Sequence, residues 1–340
     1  MTTWFSNPRA REWTAPPTRD EARRFHEAMT AYTPTPLVDV PELAAELGVG
    51  RLLVKDESSR LGLPAFKVLG ASWACHQVIA RQPGAHLVTA TDGNHGRAVA
   101  RMARELGTGA TVFVPMHMLE STAARIASEG ADVVRVDGDY DDAVAAAAEF
   151  AAVDPGRALV QDTGWDGYVE VPAWIVEGYE TLVAEVDAAL GRRPDLVAVP
   201  VGVGSLAQAV VTHYRQPDSP TLVLSVEPET AAGILASLTA GAPTSVSTSG
   251  TVMAGLNCGT VSESAWPILR DGCDAAIAVP DTAALRASDD LNALGISSGP
   301  SGAATLAGVR AALGDPDRRA DLDLPDDAVV VVLSTEGRAS

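Results

Sequence analysis

Short runs of apolar and β-branched residues alternate with alanine-rich segments of helical length in the first half of the chain. The first run is RLLVK at 51–55, and the later runs lie at 86–91, 110–114, 131–136 and 158–162. The segments between them, which we interpret as helices, lie at 68–79, 94–106, 119–128 and 140–153. Strands that alternate with helices predict a parallel sheet covered by helices on both faces.

A second series of the same kind follows a long predicted helix at 173–190. Its predicted strands lie at 195–201, 221–227, 274–279 and 328–334, and its predicted helices at 206–214, 230–239 and 282–293. Two α/β units therefore share the chain, and a helix at 18–29 precedes both. The Gly-, Ser- and Thr-rich stretch 241–259 predicts a long loop near the functional site.

The charge balance disfavours some classes of partner. The 340 residues include 25 Lys and Arg against 44 Asp and Glu, a formal net charge of −19, which argues against nucleic acid or an anionic membrane. No run of 18 apolar residues and no signal peptide is visible, so we expect a soluble protein. Three scattered cysteines favour a reducing cytoplasm over a disulfide framework. The six histidines lack metal-ligand spacing, so no metal site is expected.

Lys67 ends the stretch VKDESSRLGLPAFK, residues 54–67, in which an acidic, hydroxyl-bearing turn follows a short strand. Because an apolar segment comes next, the ammonium group should lie at the mouth of a helix. Burial and the positive end of the helix dipole would both disfavour its charge, which would leave an amine able to attack a carbonyl. An ordinary surface lysine at a helix start is the alternative.

Three loops at strand ends contain further candidate binding groups. In TATDGNHG, residues 89–96, a helix starts after a turn glycine, so its free amides can hold a carboxylate; a simple helix cap is the alternative. In PVGVGSLA, residues 200–207, a Gly-rich turn between strand and helix should bind a phosphate. In VLSTEG, residues 332–337, Ser334 and Thr335 offer hydroxyls to a ring nitrogen.

Two cofactors compete for these loops. Gly202, Gly204 and Ala207 form the pattern G-x-G-x-x-A, and Glu227 closes the next strand where a ribose-binding acid would lie, which favours NAD. A dinucleotide site, however, explains neither Lys67 nor the TDGNHG loop. Pyridoxal phosphate accounts for all four features, since it needs an amine, an anion nest, a partner for its ring oxygen and a partner for its ring nitrogen.

The chain resembles the fold-type II pyridoxal-phosphate enzymes, the family of the tryptophan synthase β subunit, threonine dehydratase and serine racemase. Within that family it is most similar to the diaminopropionate ammonia-lyases. The resemblance covers nearly the whole chain and depends on motifs in a fixed order: KDES (55–58), AFKVLG (65–70), TDGNHGR (91–97), QDT-x-W-x-GY (161–168), GVG (202–204), MAGL-x-CG (253–259) and STEG (334–337). It implies an α/β fold of two parallel or mixed-sheet domains with the cofactor in the cleft between them.

The resemblance also implies domain boundaries and an assembly. Residues 1–70 and 174–340 would form the large cofactor-binding domain, and residues 71–173 the small substrate-side domain. A homodimer is expected. The chain departs from the family pattern at Pro300, where relatives commonly have an acid, at Asn257 and Ser205, and in ending soon after Gly337.

The resemblance further assigns roles to individual residues. Lys67 would carry the cofactor through its amine, and Asn94 would bond the ring oxygen. Asp92, which replaces the serine of most relatives, and Asp162 would be catalytic acids or bases. The resemblance implies three further sets of contacts. Ser334 or Thr335 would bond the pyridine nitrogen. The phosphate would be bound by Gly202, Val203, Gly204, Ser205 and Leu206, and the substrate by Asp92, Gly93, Asn94 and His95.

The reaction that this resemblance implies is α,β-elimination of 2,3-diaminopropionate, as the D or L form or both, to pyruvate and two ammonia. Lys67 would remove the α proton of one enantiomer, and Asp92 or Asp162 that of the other. A serine or threonine dehydratase, a racemase or another lyase of β-substituted alanines is the alternative within the family. An NAD-binding or catalytically inactive ligand-binding protein is the alternative outside it.

Overall fold

A seven-stranded sheet is the larger of the two sheets in the structure. The computed structural model describes residues 3–217, 219 and 221–338. The strands of this sheet run in the order β1, β10, β9, β8, β11, β3, β2. Their bounds are Trp4–Ser6 (β1), Leu37–Asp39 (β2), Arg51–Asp56 (β3), Leu196–Pro200 (β8), Leu222–Pro228 (β9), Ala275–Val279 (β10) and Val329–Ser334 (β11). The five central strands are parallel, and the two edge strands, β1 and β2, pair antiparallel to their neighbours.

A second, four-stranded sheet is parallel throughout. Its strands run in the order β6, β5, β4, β7. Their bounds are His86–Ala90 (β4), Ala110–Pro115 (β5), Asp132–Val136 (β6) and Arg157–Leu159 (β7). Both sheets therefore confirm the α/β fold that the alternating pattern predicted.

Helices connect the strands of both sheets. Their bounds are Glu21–Ala28 (α1), Pro41–Leu47 (α2), Lys67–Arg81 (α3), Asn94–Glu105 (α4), Glu120–Ala127 (α5), Tyr140–Ala152 (α6), Glu170–Leu190 (α7), Ser205–Tyr214 (α8), Gly233–Ala240 (α9), Trp266–Gly272 (α10), Asp281–Ala293 (α11), Pro300–Leu313 (α12) and Pro316–Leu322 (α13). Within the part of the chain that the structure describes, none of them is long and apolar enough to cross a bilayer.

The core lies on both faces of the large sheet, because successive side chains of a strand point to opposite faces. On one face Leu52 and Val330 belong to a buried cluster with α2, α11 and α12. On the other face Leu53 and Val331 belong to a larger cluster with α3, α7 and α8. Each fully buried Val or Leu stabilises the fold by about 1.5–3 kcal/mol relative to an exposed position.

Helices α3 and α7 cross at close range because two glycines face each other. A Cβ added to Gly178 would lie 2.5 Å from the carbonyl oxygen of Leu69 and 2.7 Å from the Cα of Gly70. A Cβ on Gly70 would lie 2.8 Å from the carbonyl oxygen of Ile175. The predicted domain boundaries at 70 and 173 lie inside these two helices, and the division into two domains stays a prediction.

Several elements of the structure lack a counterpart in the sequence prediction: β1, β2, α2, α10, α12 and α13. The largest of them is α12, whose first turn includes Pro300, the residue at which the chain departs from the family pattern. Nearly all of α12 is buried. Because the residues of the helix itself are mostly small or apolar on every side, it lacks the polar stripe by which an amphipathic helix is recognised.

Candidate active site

A cavity of about 690 Å³ lies where strands of both sheets end. It is lined by Thr91 after β4, by Pro200 at the end of β8 and by Thr335 after β11. Residues of the predicted long loop, among them Val252 and Cys258, line it as well. The carboxyl ends of parallel strands are the usual ligand-binding edge of an open α/β sheet.

Lys67 is the first residue of α3 and points into the cavity. Its Nζ donates to Oδ2 of Asp162 at 2.5 Å, and the rings of Phe66 and Tyr179 lie 5.4 and 5.9 Å from Nζ. Burial acts to lower the pKa of Lys67, but the carboxylate of Asp162 outweighs it and raises that pKa. Our expectation that the environment disfavours the charge of Lys67 is therefore wrong, because it lacked the buried carboxylate.

Asp162 is almost fully buried, and several polar groups surround it. Besides Lys67, the side-chain amide of Gln161 and the hydroxyl of Tyr140 lie 3.3 and 3.4 Å from Oδ1. Nδ1 of His95 lies 3.9 Å from Oδ2. Burial alone would raise the pKa of Asp162, but the charge of Lys67 lowers it to about 2. The pair is therefore an ammonium and a carboxylate at neutral pH.

Asp92 has the opposite environment. It lines the cavity, and no hydrogen-bond donor among the described residues reaches its carboxylate. Burial, followed by the negative charge of Asp162, raises its pKa to about 7. The alternative that Asp92 caps α4 is wrong, because it is the hydroxyl of Thr91 that accepts from the amides of Gly93 and Gly96, at 2.9 and 3.0 Å.

The first turn of α4 presents unpaired amides to the cavity. The amides of Asn94 and His95 donate to no acceptor in the described part of the chain. The side-chain nitrogen of Asn94 donates to Oε2 of Glu336 at 2.8 Å. The His95 ring is buried and bonds the carbonyl oxygen of Val160 through Nε2 at 2.8 Å, so of these groups it is the backbone amides that can hold an anion.

The loop after β8 forms an anion nest at the start of α8. From Gly202 through Ala207 no backbone amide has an acceptor among the residues that the structure describes. Gly204 has φ of +104°, which favours glycine, and a Cβ on Gly202 would lie 3.1 Å from the carbonyl oxygen of Gly255. The hydroxyl of Ser205 donates to the backbone carbonyl of Asp162 at 2.5 Å. Ser205 can therefore offer its amide, but not its hydroxyl proton, to an anion in the nest.

The two hydroxyls that we predicted for a ring nitrogen lie in different surroundings. Thr335 lines the cavity. Ser334 is fully buried, and its hydroxyl bonds that of Ser298 at 2.7 Å. Ser334 is not among the residues that line the cavity, so the geometry favours Thr335 for this contact.

Lys55 and Glu57 of the KDES motif take part in a buried ionic network, whereas Ser58 of the same motif lines the cavity. Lys55 and Arg60 are buried and bond Glu185 at 2.5 and 2.6 Å. Arg60 also bonds Glu57, through Nε at 2.8 Å. The backbone amide of Glu57 donates to the carbonyl oxygen of Ser334. The network thus anchors the loop that ends on Lys67 to the end of β11.

Comparisons with known proteins agree with this geometry. Residues 28–336 match the family model described as pyridoxal-phosphate dependent enzyme. The chain is 37% identical to diaminopropionate ammonia-lyase of Escherichia coli (strain K12), over 93% of this chain and 87% of that protein. It is 31% identical to the biosynthetic L-threonine dehydratase of Mycobacterium leprae, over 62% of this chain and 48% of that protein.

A solved structure is similar over the whole fold. The crystal structure of the E. coli diaminopropionate ammonia lyase in complex with an aminoacrylate-PLP azomethine reaction intermediate superimposes with a TM-score of 0.89, at 35% identity, covering 98% of this chain and 93% of that one. The same enzyme in complex with D-serine superimposes with a TM-score of 0.88, at 34% identity and the same coverage. The chain belongs to the pyridoxal-phosphate dependent enzymes. The family and fold predicted from the motifs are confirmed.

The cavity fits the cofactor of this family. It has a lysine amine, a nest of unpaired amides for a phosphate and a hydroxyl for a ring nitrogen, at Lys67, Gly202–Ala207 and Thr335 respectively. A Cβ at Gly202 or Gly204 would narrow the nest or strain its backbone. The cofactor of the chain is pyridoxal phosphate, as predicted.

The competing NAD interpretation depends on Glu227, and the structure gives Glu227 another role. It is fully buried, and its two carboxylate oxygens accept from the amides of Ile234 and Leu235 at 2.8 Å each. Burial raises its pKa to about 8. Glu227 therefore closes the first turn of α9 and is not free to bond a ribose.

Among the cavity residues that were absent from the predicted site are Tyr140, Cys258 and Glu336. Glu336 directly follows Thr335 in the STEG motif, so its position in the sequence was a usable signal. Tyr140 begins α6, far along the chain from the other site residues, and only the fold brings it to Asp162. No feature of the local sequence marks it.

Proposed function

We propose that the chain eliminates ammonia from 2,3-diaminopropionate, as the D or L form or both. One molecule of substrate and one of water give pyruvate and two molecules of ammonia. The similarity to diaminopropionate ammonia-lyases over nearly the whole chain supports this carbon–nitrogen lyase activity. Loss of the β-ammonium as ammonia and hydrolysis of the remaining α-amino group account for the two ammonia molecules.

The observation that carries the proposal is Asp92, a second carboxylate in the cavity with a pKa near 7 and no partner among the described residues. Such a group can accept a proton at neutral pH and can also pair with the β-ammonium of a diamino acid. Because Asp162 is already bonded to Lys67, it does not supply a free acceptor in the same state. Asp92 therefore gives the cavity a preference for a substrate with a second amine.

The remaining groups of the cavity hold the reactants in place. When bound, the cofactor supplies an electron-withdrawing ring that acidifies the α proton of an attached amino acid. Lys67 provides the amine that carries it, the amides from Gly202 to Leu206 bind its phosphate, and Thr335 bonds its ring nitrogen. The unpaired amides of Asn94 and His95 hold the substrate carboxylate at the positive end of α4.

The two enantiomers need separate bases, because their α protons point to opposite faces of the bound substrate. We assign Lys67 to one enantiomer, and Asp92 or Asp162 to the other. While the ammonium of Lys67 is bonded to it, Asp162 is a weak base, with a pKa of about 2. It becomes a stronger base once the charge of Lys67 moves away.

The experiment that tests the proposal is a pyruvate assay with D- and L-diaminopropionate, D- and L-serine and L-threonine. In the parent enzyme we expect the diamino acid to be preferred. Asp92→Asn keeps the shape but removes the proton acceptor, so kcat for D-diaminopropionate should fall about 10²- to 10⁴-fold, with a smaller loss for the L form. Asp162→Asn should show whether the second acid serves the L form, and Glu149→Gln, on the surface, is the control.

Two outcomes would contradict the proposal. Equal rates of Asp92→Asn and parent on both enantiomers would remove Asp92 from the chemistry. Activity of the parent on serine or threonine alone would make the chain a dehydratase, the activity named for the M. leprae relative.

We further propose that the enzyme is a cytoplasmic homodimer. The family resemblance supports the dimer, and three free cysteines are compatible with a reducing compartment. Sedimentation of the purified holoenzyme at the mass of one chain would contradict the dimer. Fractionation of cells that express the protein would test the compartment.

A further inference from the structure

Glu336 and Asn94 connect the two sheets at the cavity. Asn94 begins α4 directly after the four-stranded sheet's β4, whereas Glu336 follows β11 of the seven-stranded sheet. The side-chain nitrogen of Asn94 donates to Oε2 of Glu336 at 2.8 Å, and both residues line the cavity. This contact has no part in the reaction proposed above.

Glu336 is held from the other side as well. Its carboxylate lies near the hydroxyl and the amide of Ser301, in the first turn of the 14-residue α12, where the helix dipole favours an anion. Its backbone forms a bridge to Ala65, and its carbonyl oxygen accepts from the amide of Gly299 at 3.0 Å. Burial raises the pKa of Glu336, while the nearby polar groups of Ser301 and Asn94 oppose that rise.

A fixed carboxylate determines which way an asparagine amide faces. The amide nitrogen has two hydrogens to donate, whereas the amide oxygen only accepts. If the amide of Asn94 turned over, its oxygen would face the carboxylate oxygen of Glu336, and two acceptors would repel each other. With the nitrogen toward Glu336, one hydrogen is used at 2.8 Å. The second has no acceptor in the described part of the chain and can donate within the cavity.

We propose that Glu336 is a positioning residue that keeps the second N–H of Asn94 available to the ring oxygen of the cofactor and so keeps that oxygen ionised. The inference rests on the cofactor contacts of the proposed function and is independent of the substrate. Without Glu336, the amide of Asn94 can present its carbonyl oxygen instead, which favours a protonated ring oxygen. That protonation moves the absorption of the bound cofactor from the visible to the near ultraviolet.

The test compares cofactor spectra of holoenzymes without substrate across neutral pH, together with the Kd for pyridoxal phosphate. Glu336→Met, which cannot accept from Asn94, should lose at least about half of the visible band and raise the Kd roughly tenfold, as expected for one lost bond to a charged group. Glu336→Gln retains an acceptor and should restore part of the band. Glu149→Gln, an exposed acid outside the cavity, should match the parent.

A double variant separates positioning from a general structural effect. If Glu336 acts through Asn94, adding Glu336→Met to Asn94→Ala should change the spectrum no further, because residues that act as a unit are not additive. An equal change in both backgrounds would overturn the proposal, and so would a parental visible band in Glu336→Met. If that variant does not fold, an unchanged band and Kd in Glu336→Gln would overturn it instead.

The proposed reaction and the proposed role of Glu336 can be contradicted separately. Inactivity of the parent toward diaminopropionate would contradict the reaction, and the spectra of the variants would still decide the role of Glu336. A parental spectrum in Glu336→Met alongside normal elimination would contradict only the role of Glu336.

Discussion

Asp92 and Asp162 are both aspartates, but their different environments shift their pKa values in opposite directions. Asp162 lies against the ammonium of Lys67, and its pKa is lowered to about 2. Asp92 is partly buried near that carboxylate without a cation of its own, and its pKa is raised to about 7. Pairs of carboxyl groups whose environments separate their pKa values commonly take different roles in acid–base catalysis. We therefore expect their contributions to be separable by pH.

The pH dependence of turnover should differ between enantiomers. A base must be deprotonated, so a reaction that needs Asp92 should speed up as pH rises through about 7. Below that value kcat/KM for D-diaminopropionate should fall about tenfold per pH unit. The two enantiomers have identical pKa values in solution, so the ratio of their rates between pH 5 and 9 cancels the titration of the substrate. A ratio that does not change with pH would contradict Asp92 as the base for one enantiomer only.

Ser205 should matter for catalysis more than for cofactor binding. Its hydroxyl donates to the carbonyl oxygen of Asp162, while its amide belongs to the anion nest. Ser205→Ala removes the first contact and keeps the second, so the Kd for pyridoxal phosphate should stay near the parental value. Misplacement of Asp162 should lower kcat by roughly tenfold or more.

The control for this variant is Ser205→Thr, which retains the hydroxyl and should restore turnover if the side chain fits. A rise in the cofactor Kd as large as the fall in kcat would show instead that the hydroxyl bonds the phosphate. Fluorescence titration of the apoenzyme with pyridoxal phosphate measures the first quantity, and pyruvate formation the second.

At the scale of single residues, the sequence predicted which residues lie in the site better than it predicted the charges that surround them. The motifs located Lys67, Asp92 and Asn94 in the chain, and the structure brings all three to one cavity. The charge of Lys67 was mispredicted because its partner, Asp162, is 95 residues away in the sequence. A local pattern contains the helix dipole and the apolar neighbours, but not a carboxylate that arrives through the fold.

The anion nest depends on how one short element is built. β8 ends at Pro200 and α8 begins at Ser205. Of the four residues between them, Val201 donates its amide to the carbonyl oxygen of Val226, and residues 202–204 turn the chain with no acceptor for their amides among the described residues. Gly204 makes this possible with φ of +104°, a region that side chains with a Cβ rarely adopt. A Cβ there would also lie 3.1 Å from side-chain atoms of Ala265 and Leu269.

Gly204→Val should therefore weaken cofactor retention. The strained backbone and the tight packing should distort the amides, and we expect a Kd for pyridoxal phosphate at least roughly tenfold higher, since several charge-assisted hydrogen bonds to the phosphate are involved. Dialysis followed by absorbance measures the loss. Gly241→Val is the matched control, because Gly241 also has a positive φ, of +69°, but a Cβ there meets no atom of the described residues within 4 Å.

If both variants lost equal amounts of cofactor, backbone strain in general would explain the weaker cofactor retention of Gly204→Val. Retention of pyridoxal phosphate in Gly204→Val at the parental level would contradict the assignment of this loop to the phosphate.

At the scale of elements, periodicity located strands and amphipathic helices to within a few residues. The predicted helix 94–106 is α4, Asn94–Glu105, and the predicted helix 140–153 is α6, Tyr140–Ala152. α12 was missed because a helix that is buried on all sides lacks the periodic contrast between apolar and polar positions. Its first turn supplies Ser301 to Glu336, so the missed helix also concealed part of the cavity.

The whole molecule places its functional groups through contacts between distant segments. The loop that leads to Lys67 is anchored by a buried network in which Arg60 bonds Glu57 and Glu185. Removing one member would leave a buried charge without its partner, at a cost of about 3–5 kcal/mol. The sequence showed KDES as a motif but did not distinguish a structural network from a binding site, because Glu185 lies 125 residues away from Arg60.

The crossing of α3 and α7 sets where Lys67 lies relative to the anion nest, and Gly178→Ala tests this. The added Cβ would lie 2.5 Å from the carbonyl oxygen of Leu69, a backbone atom of α3, so α3 must shift, and Lys67 is its first residue. We expect a loss of about 1–3 kcal/mol in the free energy of unfolding, as for other overpacked sites. We also expect weaker cofactor retention, because the amine and the nest no longer match one cofactor.

Gly308→Ala in α12 is the control for this last variant. Its Cβ would lie 2.5 Å from a side-chain atom of Val226, so it overpacks the core on the opposite face of the sheet without touching α3. Both variants should unfold at lower denaturant concentration than the parent, and only Gly178→Ala should release pyridoxal phosphate on dialysis. If Gly178→Ala lost stability yet retained the cofactor as well as Gly308→Ala does, the position of Lys67 would not depend on the helix crossing. Lys67 would then be placed by the loop that the Arg60 network anchors.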